Sequence, residues 1–249
     1  MKCALCNRES NLQDSHLIPK LVYTRIKSHP NSRFRSLDDI FKVMQDGEKH
    51  KMLCHDCEEK FSVLETYFAK HFLDIYLSGG IIPEVDDQTK LGDYILSVAW
   101  RILWDDLYRM NSFSDHIRDE FERFESDLHD YLLNHNSKQQ SKFLNRIWRL
   151  KDLINCPQSL EESTLFGYSY YPNALVGCLV LVYYAGLLFV TQYVPDRSIL
   201  IIDGIDSIET GIDQIICDEM TYKFNEILKE EKEKITPELS EKIARRYGK

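Results

Sequence analysis

The 249-residue sequence predicts an α+β protein, with a short cysteine-bearing N-terminal domain and a larger, mostly helical body that contains a small antiparallel sheet. Three observations predict this class. Two C-x-x-C pairs enclose a polar, turn-rich segment within residues 1–60. Apolar residues then recur at helical spacing. Finally, the uncharged run over residues 174–194 is rich in β-branched and aromatic residues, which is typical of buried strands.

The composition limits the classes of protein that fit. Hydrophobic residues make up 43% and charged residues 29%, which is ordinary for a globular protein and excludes wholesale disorder. The net charge of −9 argues against non-specific nucleic-acid binding by the whole molecule. However, residues 1–60 carry 11 Lys and Arg against 9 Asp and Glu, whereas the remaining residues carry 20 against 31. We therefore expect any contact with a polyanion in the N-terminal part.

The helical elements follow from apolar spacing. Over residues 58–77, Phe61, Leu64, Phe68 and Phe72 fall on one face of a predicted helix. The Gly, Pro and Asp content of residues 78–88 predicts a linker. We therefore place an N-terminal domain at 1–77 and an α+β body with an acidic helical C-terminus at 89–249. Further helices are predicted at 91–110, 115–136 and 138–155, and in a charged tail from residue 218.

The uncharged run at 174–194 has two interpretations. It is long enough to span a bilayer. It is bracketed by Pro172 and Pro195, and no Lys or Arg cluster flanks it, which favours two buried strands joined by a tight turn near Ala185–Gly186. We expect strands at 175–184, 187–194 and 198–203, and no membrane contact. The polar start of the chain and its paired cysteines predict a cytoplasmic protein.

The cysteine pairs predict a metal site. C-x-x-C spacing lets two thiolates meet one ion, so Cys3, Cys6, Cys54 and Cys57 complete a tetrahedral structural zinc site. The alternative is a redox C-x-x-C pair, which would not need the second pair. The second pair leads straight into a helix. A knuckle, one or two strands and a helix bearing the last ligands form a treble-clef arrangement.

Two motifs accompany these cysteines, "SHLIPK" after the first pair and "LCHDCEEKF" around the second. They make residues 1–65 resemble the zinc-containing HNH endonucleases. With "Q-x-G" before "LC" and "S-x-A-W-R" further downstream, the larger pattern is similar to a group of bacterial proteins commonly labelled HNH-like. The resemblance implies a zinc-pinned treble-clef ββα unit that hydrolyses phosphodiesters of DNA with Mg²⁺ or Mn²⁺. Bacterial proteins of this kind often act in anti-phage defence.

The resemblance also implies roles for single residues. His16 matches the general base that takes a proton from the attacking water. Ser15 stands where the family has an Asp or His ligand, and Glu58 stands where it has a His. The resemblance therefore makes Glu58 a candidate ligand of Mg²⁺ or Mn²⁺, with Asp14 as a substitute for Ser15 if the strand contains a bulge. Lys49 stands near the position of the family's Asn, and His50 is adjacent to it. His50 is a candidate catalytic helper, a neighbour of the zinc site or a surface residue.

Basic residues between the cysteine pairs suit a phosphate track or, equally, an exposed loop. They are Arg25, Lys27, Arg33 and Arg35. A different class of function also stays open, in which the zinc domain is a catalytically degenerate interaction module. Such a module docks nucleic acid or a partner protein, and the acidic body supplies the protein interface. The chain has no P-loop, GxGxxG or GxSxG motif, so nucleotide-driven work and serine hydrolysis are unsupported.

Overall fold

Helices and strands are mixed along the chain, as the sequence predicts. The computed structural model describes residues 1–27, 34–36, 43–44, 46–152, 165–173 and 177–195, together with Tyr222 and Lys229. The described strands are β1 (Leu12–His16), β2 (Phe34–Ser36), β3 (Val43–Met44), β4 (Lys49–Cys54), β5 (Phe143–Arg149), β6 (Leu165–Asn173), β7 (Gly177–Tyr184) and β8 (Leu187–Tyr193). The described helices are α1 (Lys20–Lys27), α2 (His55–Phe68), α3 (Asp74–Gly79), α4 (Gln88–Trp104), α5 (Asp115–Asn134) and α6 (Ser137–Gln140).

The N-terminal part is built on a pair of antiparallel strands. Strand β1 pairs with β4, and His16 lies opposite Lys49 in the register. Strand β4 runs directly into α2, so a strand pair and a helix follow one another around the cysteine cluster. Leu53 and Met52 of β4 are fully buried, which anchors the pair to the core.

The predicted helix at 58–77 is confirmed, although its geometry is not uniform. It consists of α2, a π-helical segment (Ala69–Leu73) and α3. Its apolar face packs inward, with Phe61, Phe68 and Phe72 fully buried. Gly80 ends the helix in the left-handed conformation (φ 66°), which glycine adopts without steric cost. The linker follows, as its composition predicts.

The next long helix packs against this one. The ring of Phe68 stacks on Tyr94 of α4 with centroids 3.9 Å apart, and Phe61 meets Trp100 edge-on. Helix α4 continues into a second π-helical segment (Asp105–Met110), so the predicted helix at 91–110 is confirmed in position. Helix α5 confirms the predicted helix at 115–136. The division into domains 1–77 and 89–249 stays a prediction.

The larger sheet has the order β3-β2-β6-β7-β8-β5. Its four strands β6, β7, β8 and β5 are antiparallel, whereas β2 pairs with β6 in parallel. The predicted hairpin is confirmed: β7 and β8 are joined by Ala185 and Gly186, both with positive φ (57° and 72°). Every residue of β8 is buried, which explains an unbroken apolar run in place of alternation. None of the described helices has the length and apolar character needed to cross a membrane.

The predicted helix at 138–155 is wrong. Within the described residues 138–152, the short helix α6 leads into strand β5 beside β8, and a single 3-10 turn (Leu150–Asp152) follows the strand. Phe143, Ile147 and Leu150 recur at intervals of three or four, which imitates a helical face, but pairing with β8 decides the backbone conformation. The predicted strand at 198–203 and the helical tail lie outside the described residues, apart from Tyr222 and Lys229.

Candidate functional site

The two C-x-x-C pairs converge on one point. Cys3 and Cys6 flank a tight turn, closed by the Asn7 N–H donating to the Cys3 carbonyl at 2.9 Å. Cys54 ends β4 and Cys57 lies on the first turn of α2. The four sulfur atoms all lie within 4.8 Å of one another, which is close enough for all four to bind a single metal ion. Four converging thiols are the donor set of a structural zinc site, so these residues fit the predicted ion.

Polar groups around the cysteine cluster support the charge of metal-bound thiolates. The Cys54 N–H donates to Cys3 Sγ at 3.3 Å, and Arg8 Nε donates to Cys6 Sγ at 3.3 Å. Burial alone would raise the pKa of Cys6, but the hydrogen bond from Arg8 outweighs it and lowers the pKa to about 6. The Arg8 guanidinium is held by Asp56 at 2.8 Å. Arg8 therefore acts as an outer partner that orients one sulfur ligand.

The Cys3 and Cys57 thiols have the opposite preference to Cys6 and favour the protonated form in the absence of a cation. Burial raises the pKa of Cys3, and burial together with hydrogen bonds among the neighbouring thiols raises the pKa of Cys57. Four thiolates this close together, three of them buried, would repel one another strongly, and a bound divalent ion would offset that repulsion. Metal binding here is consequently coupled to loss of thiol protons and to folding of the surrounding strands.

His16 stands at the end of β1 with a carboxylate partner. Its Nε2 lies 3.3 Å from Asp46 Oδ1, and the same oxygen accepts the Gly47 N–H at 3.0 Å. Lys49 Nζ approaches the other Asp46 oxygen at 3.4 Å. Burial lowers the pKa of His16, although the charge of Asp46 opposes this shift. The imidazole is therefore neutral at neutral pH and able to accept a proton.

The backbone carbonyl of His16 accepts a hydrogen bond from a buried arginine, Arg101. Arg101 Nη1 donates to the His16 carbonyl at 3.0 Å, and Nη2 donates to Glu65 Oε1 at 2.6 Å. The Arg101 side chain is 1% exposed and lies over the Phe61 ring at 4.9 Å. This network couples α4, α2 and the end of β1, so three elements together place His16.

The residues predicted to hold a catalytic ion beside His16 do not form a metal-binding group with it in the described structure. Ser15 is 1% exposed and accepts the Leu53 N–H at 3.2 Å, so its hydroxyl is committed to the strand pair. Asp14 faces the opposite side and pairs with Lys51 at 3.1 Å. Among the described residues, Glu58 Oε1 is buried with no hydrogen-bond partner. Neither group of metal-competent side chains in the described structure contains Asp14, His16 or Glu58. Their catalytic roles stay predictions.

His50 belongs to a second group of metal-competent side chains. His50 Nε2 lies 3.1 Å from Glu48 Oε1 and 3.9 Å from Asp105 Oδ2. Arg109 pairs with Asp105 at 2.5 Å and with Glu48 at 3.3 Å. The ligand atoms of Glu48, His50 and Asp105 lie within 4.8 Å of one another. We refer to these three residues as the Glu48–His50–Asp105 group.

Sequence reasoning missed several of these residues. Asp46 is the middle residue of the "Q-x-G" motif, but its pairing with a histidine 30 positions earlier needs the tertiary fold. Asp105 lies in "LWDDLYRM", where two adjacent carboxylates interrupt an apolar helix. That interruption is the signal in the sequence that marks the position, because buried carboxylates need a specific partner.

The predicted phosphate-contacting residues are only partly described. Arg25 and Lys27 lie on the last turn of α1, and Arg25 pairs with Asp74 at 3.2 Å. Arg33 and the side chain of Arg35 lie outside the described residues. A phosphate track between the cysteine pairs stays a prediction.

Comparison of the chain with known proteins found no matching family model, no matching curated protein and no matching solved structure. The resemblance to HNH endonucleases therefore rests on the motif residues of this chain alone.

Proposed function

We propose that the N-terminal part is a zinc-stabilised, treble-clef ββα module of an HNH-like endonuclease that cleaves DNA, with His16 as the general base. The order of its parts supports this proposal. A cysteine turn, the strands β1 and β4, and helix α2 surround four thiols, and His16 ends the first strand. So small a unit has little core of its own, which makes a structural ion valuable.

The observation that carries the proposal is the His16–Asp46 pair. A carboxylate that is hydrogen-bonded to one ring nitrogen fixes the tautomer of the histidine. It also stabilises the imidazolium that forms when the other nitrogen takes a proton from water. Burial alone would raise the pKa of Asp46, but the Gly47 N–H and the neighbouring His16 hold it below its usual range. Asp46 is thus ionised at neutral pH. Attack of the activated water on a phosphodiester then breaks the bond to the leaving oxygen.

The ion position of the family does not fit this chain. Ser15 offers no carboxylate or imidazole, and its hydroxyl already accepts a backbone N–H inside the strand pair. Asp14 is on the other side of the strand. We therefore assign no step of the reaction to an ion at this position.

That misfit favours a second candidate function. A zinc module without the family's ion ligands retains a rigid surface but not the chemistry, so it would act by docking a partner protein or nucleic acid. The excess of acidic residues beyond residue 60 suits a protein partner better than DNA.

Plasmid cleavage by the folded, zinc-loaded full chain tests the proposal, with Mg²⁺ or Mn²⁺ added. We expect nicking by the wild type and its loss in His16→Ala, with His116→Ala as a matched control because His116 is exposed and contacts Ser114. Since burial lowers the pKa of His16, the rate should persist on the acidic side of the usual histidine pKa of about 6.5. Asp46→Asn should move this acidic limb to still lower pH, because it removes the charge that favours the imidazolium.

Each outcome separates the candidates. Equal cleavage by wild type and His16→Ala would exclude His16 as the base. No cleavage by a folded, zinc-loaded wild type would favour the docking module.

A further inference from the structure

The Glu48–His50–Asp105 group joins two distant parts of the chain. Glu48 and His50 flank Lys49 at the start of β4, and Asp105 opens the π-helical segment that follows α4. The π-helical geometry interrupts the regular helix at this point, and such segments recur at functional sites. Two carboxylates and one imidazole therefore face each other across the contact between β4 and the end of α4.

The burial of the group is graded from one side to the other. The Asp105 side chain is 1% exposed, that of His50 is 22% exposed and that of Glu48 is 47% exposed. An ion can thus enter from the Glu48 side, be held on the Asp105 side and keep water molecules on its open face. Mg²⁺ and Mn²⁺ favour oxygen ligands and retain water, and imidazole is a further ligand that Mn²⁺ accepts.

Acidic side chains outnumber basic ones around the Glu48–His50–Asp105 group. Asp106 lies beside it, 6% exposed, and Tyr168 is 3.4 Å from its carboxylate. Arg109 is the one Lys or Arg that forms a described ion pair with Glu48 or Asp105. Two carboxylates that share one guanidinium leave a negative charge that a bound cation can balance.

Arg109 occupies the place that a cation would take. Its Nη2 lies 2.7 Å from Asp105 and 3.3 Å from Glu48, so the guanidinium bridges the same two carboxylates that an ion would bridge. The Arg109 side chain is 35% exposed on the open side of the group. It can therefore withdraw into solvent when a divalent ion arrives.

We infer that Glu48, His50 and Asp105 form a binding site for a divalent cation of the Mg²⁺ and Mn²⁺ class, gated by Arg109. The site is separate from the cysteine cluster, whose thiols select zinc. Cation binding at this site does not require the proposed nuclease activity.

Mn²⁺ titration of the zinc-loaded full chain, followed by the EPR signal of free Mn²⁺, tests the inference. We expect one saturable site with a dissociation constant below about 1 mM. His50→Gln and Asp105→Asn should each weaken binding by about tenfold or more. Arg109→Gln should tighten binding, because it removes the competing cation. Glu59→Gln is the matched control, since Glu59 is exposed and pairs with His55 on α2.

The Arg109 variant makes the test independent of folding defects. Asp105→Asn removes the carboxylate that pairs with Arg109, so it can weaken Mn²⁺ binding by disturbing the fold. A damaged fold, however, does not increase the affinity for Mn²⁺. No Mn²⁺ binding by either wild type or Arg109→Gln at millimolar concentration would overturn the inference. Weaker binding in Arg109→Gln, or a loss of binding in Asp14→Asn with His50→Gln unchanged, would overturn it as well. Parallel plasmid cleavage keeps a failed nuclease distinct from a failed cation site.

Discussion

Replacing Arg101 by leucine should destabilise the protein strongly. The substitution removes the two charge-assisted hydrogen bonds to His16 and Glu65 described above. Glu65, whose side chain is 16% exposed, would be left as a carboxylate without its cation. Breaking a buried ion pair from one side costs about 3–5 kcal/mol, a large part of the roughly 5–15 kcal/mol that stabilises a typical domain.

Two matched variants isolate the reason for this loss. In the double variant Arg101→Leu with Glu65→Leu, no uncompensated charge remains. Its loss in the free energy of unfolding should therefore be smaller than the sum of the two single-variant losses by about 1–3 kcal/mol. Arg25→Leu removes an arginine from a partly exposed pair with Asp74 and should cost about 1 kcal/mol or less.

Urea unfolding followed by circular dichroism, at a fixed free zinc concentration, measures these free energies of unfolding. A loss below about 1 kcal/mol for Arg101→Leu, or strict additivity with Glu65→Leu, would refute the argument that this pair is a coupled, buried support of His16.

Two further predictions concern the N-terminal part. The purified protein should contain about one zinc ion per chain by metal analysis. Cys57→Ser should lose that zinc, and its β1–β4 strand pair should become more sensitive to proteolysis, because four thiolates complete the site. Full zinc retention by Cys57→Ser would contradict the assignment. Gly47→Ala should destabilise the protein by about 1–3 kcal/mol in urea unfolding, because its Cβ would lie 2.3 Å from the buried Tyr23 ring. Gly79→Ala, whose Cβ meets nothing within 4 Å, is the control, and equal stability of the two variants would refute the clash.

Local sequence patterns determined the elements that local physics controls. The C-x-x-C spacing brings two sulfurs together within a single turn, so the cysteine cluster could be predicted before the fold was known. The apolar face of the helix at 58–77 and the turn at Ala185–Gly186 likewise depend on neighbours in the chain. The π-helical segments were not predicted, because a 3.6-residue apolar period does not reveal one extra residue in a turn.

The strand at 143–149 shows where local patterns fail. Its apolar spacing fits a helix, and only hydrogen bonding to β8, whose paired residues lie 38 to 50 positions away, favours the extended form. Strand preference depends on such neighbours more than on intrinsic propensity.

The side chains around His16 were decided by the tertiary structure. The sequence identifies the four clustered cysteines and points to His16 by resemblance, but the register of β1 against β4 directs Ser15 inward and Asp14 outward. Asp46 and Arg101, the partners of His16, lie 30 and 85 positions away in the chain, and Asp105 lies 55 positions from His50. Contacts over such separations form only when distant elements pack, and no periodicity within a segment encodes them. For this protein, the sequence alone determined which cysteines form a cluster able to bind a metal ion, and packing decided which carboxylates face the histidines.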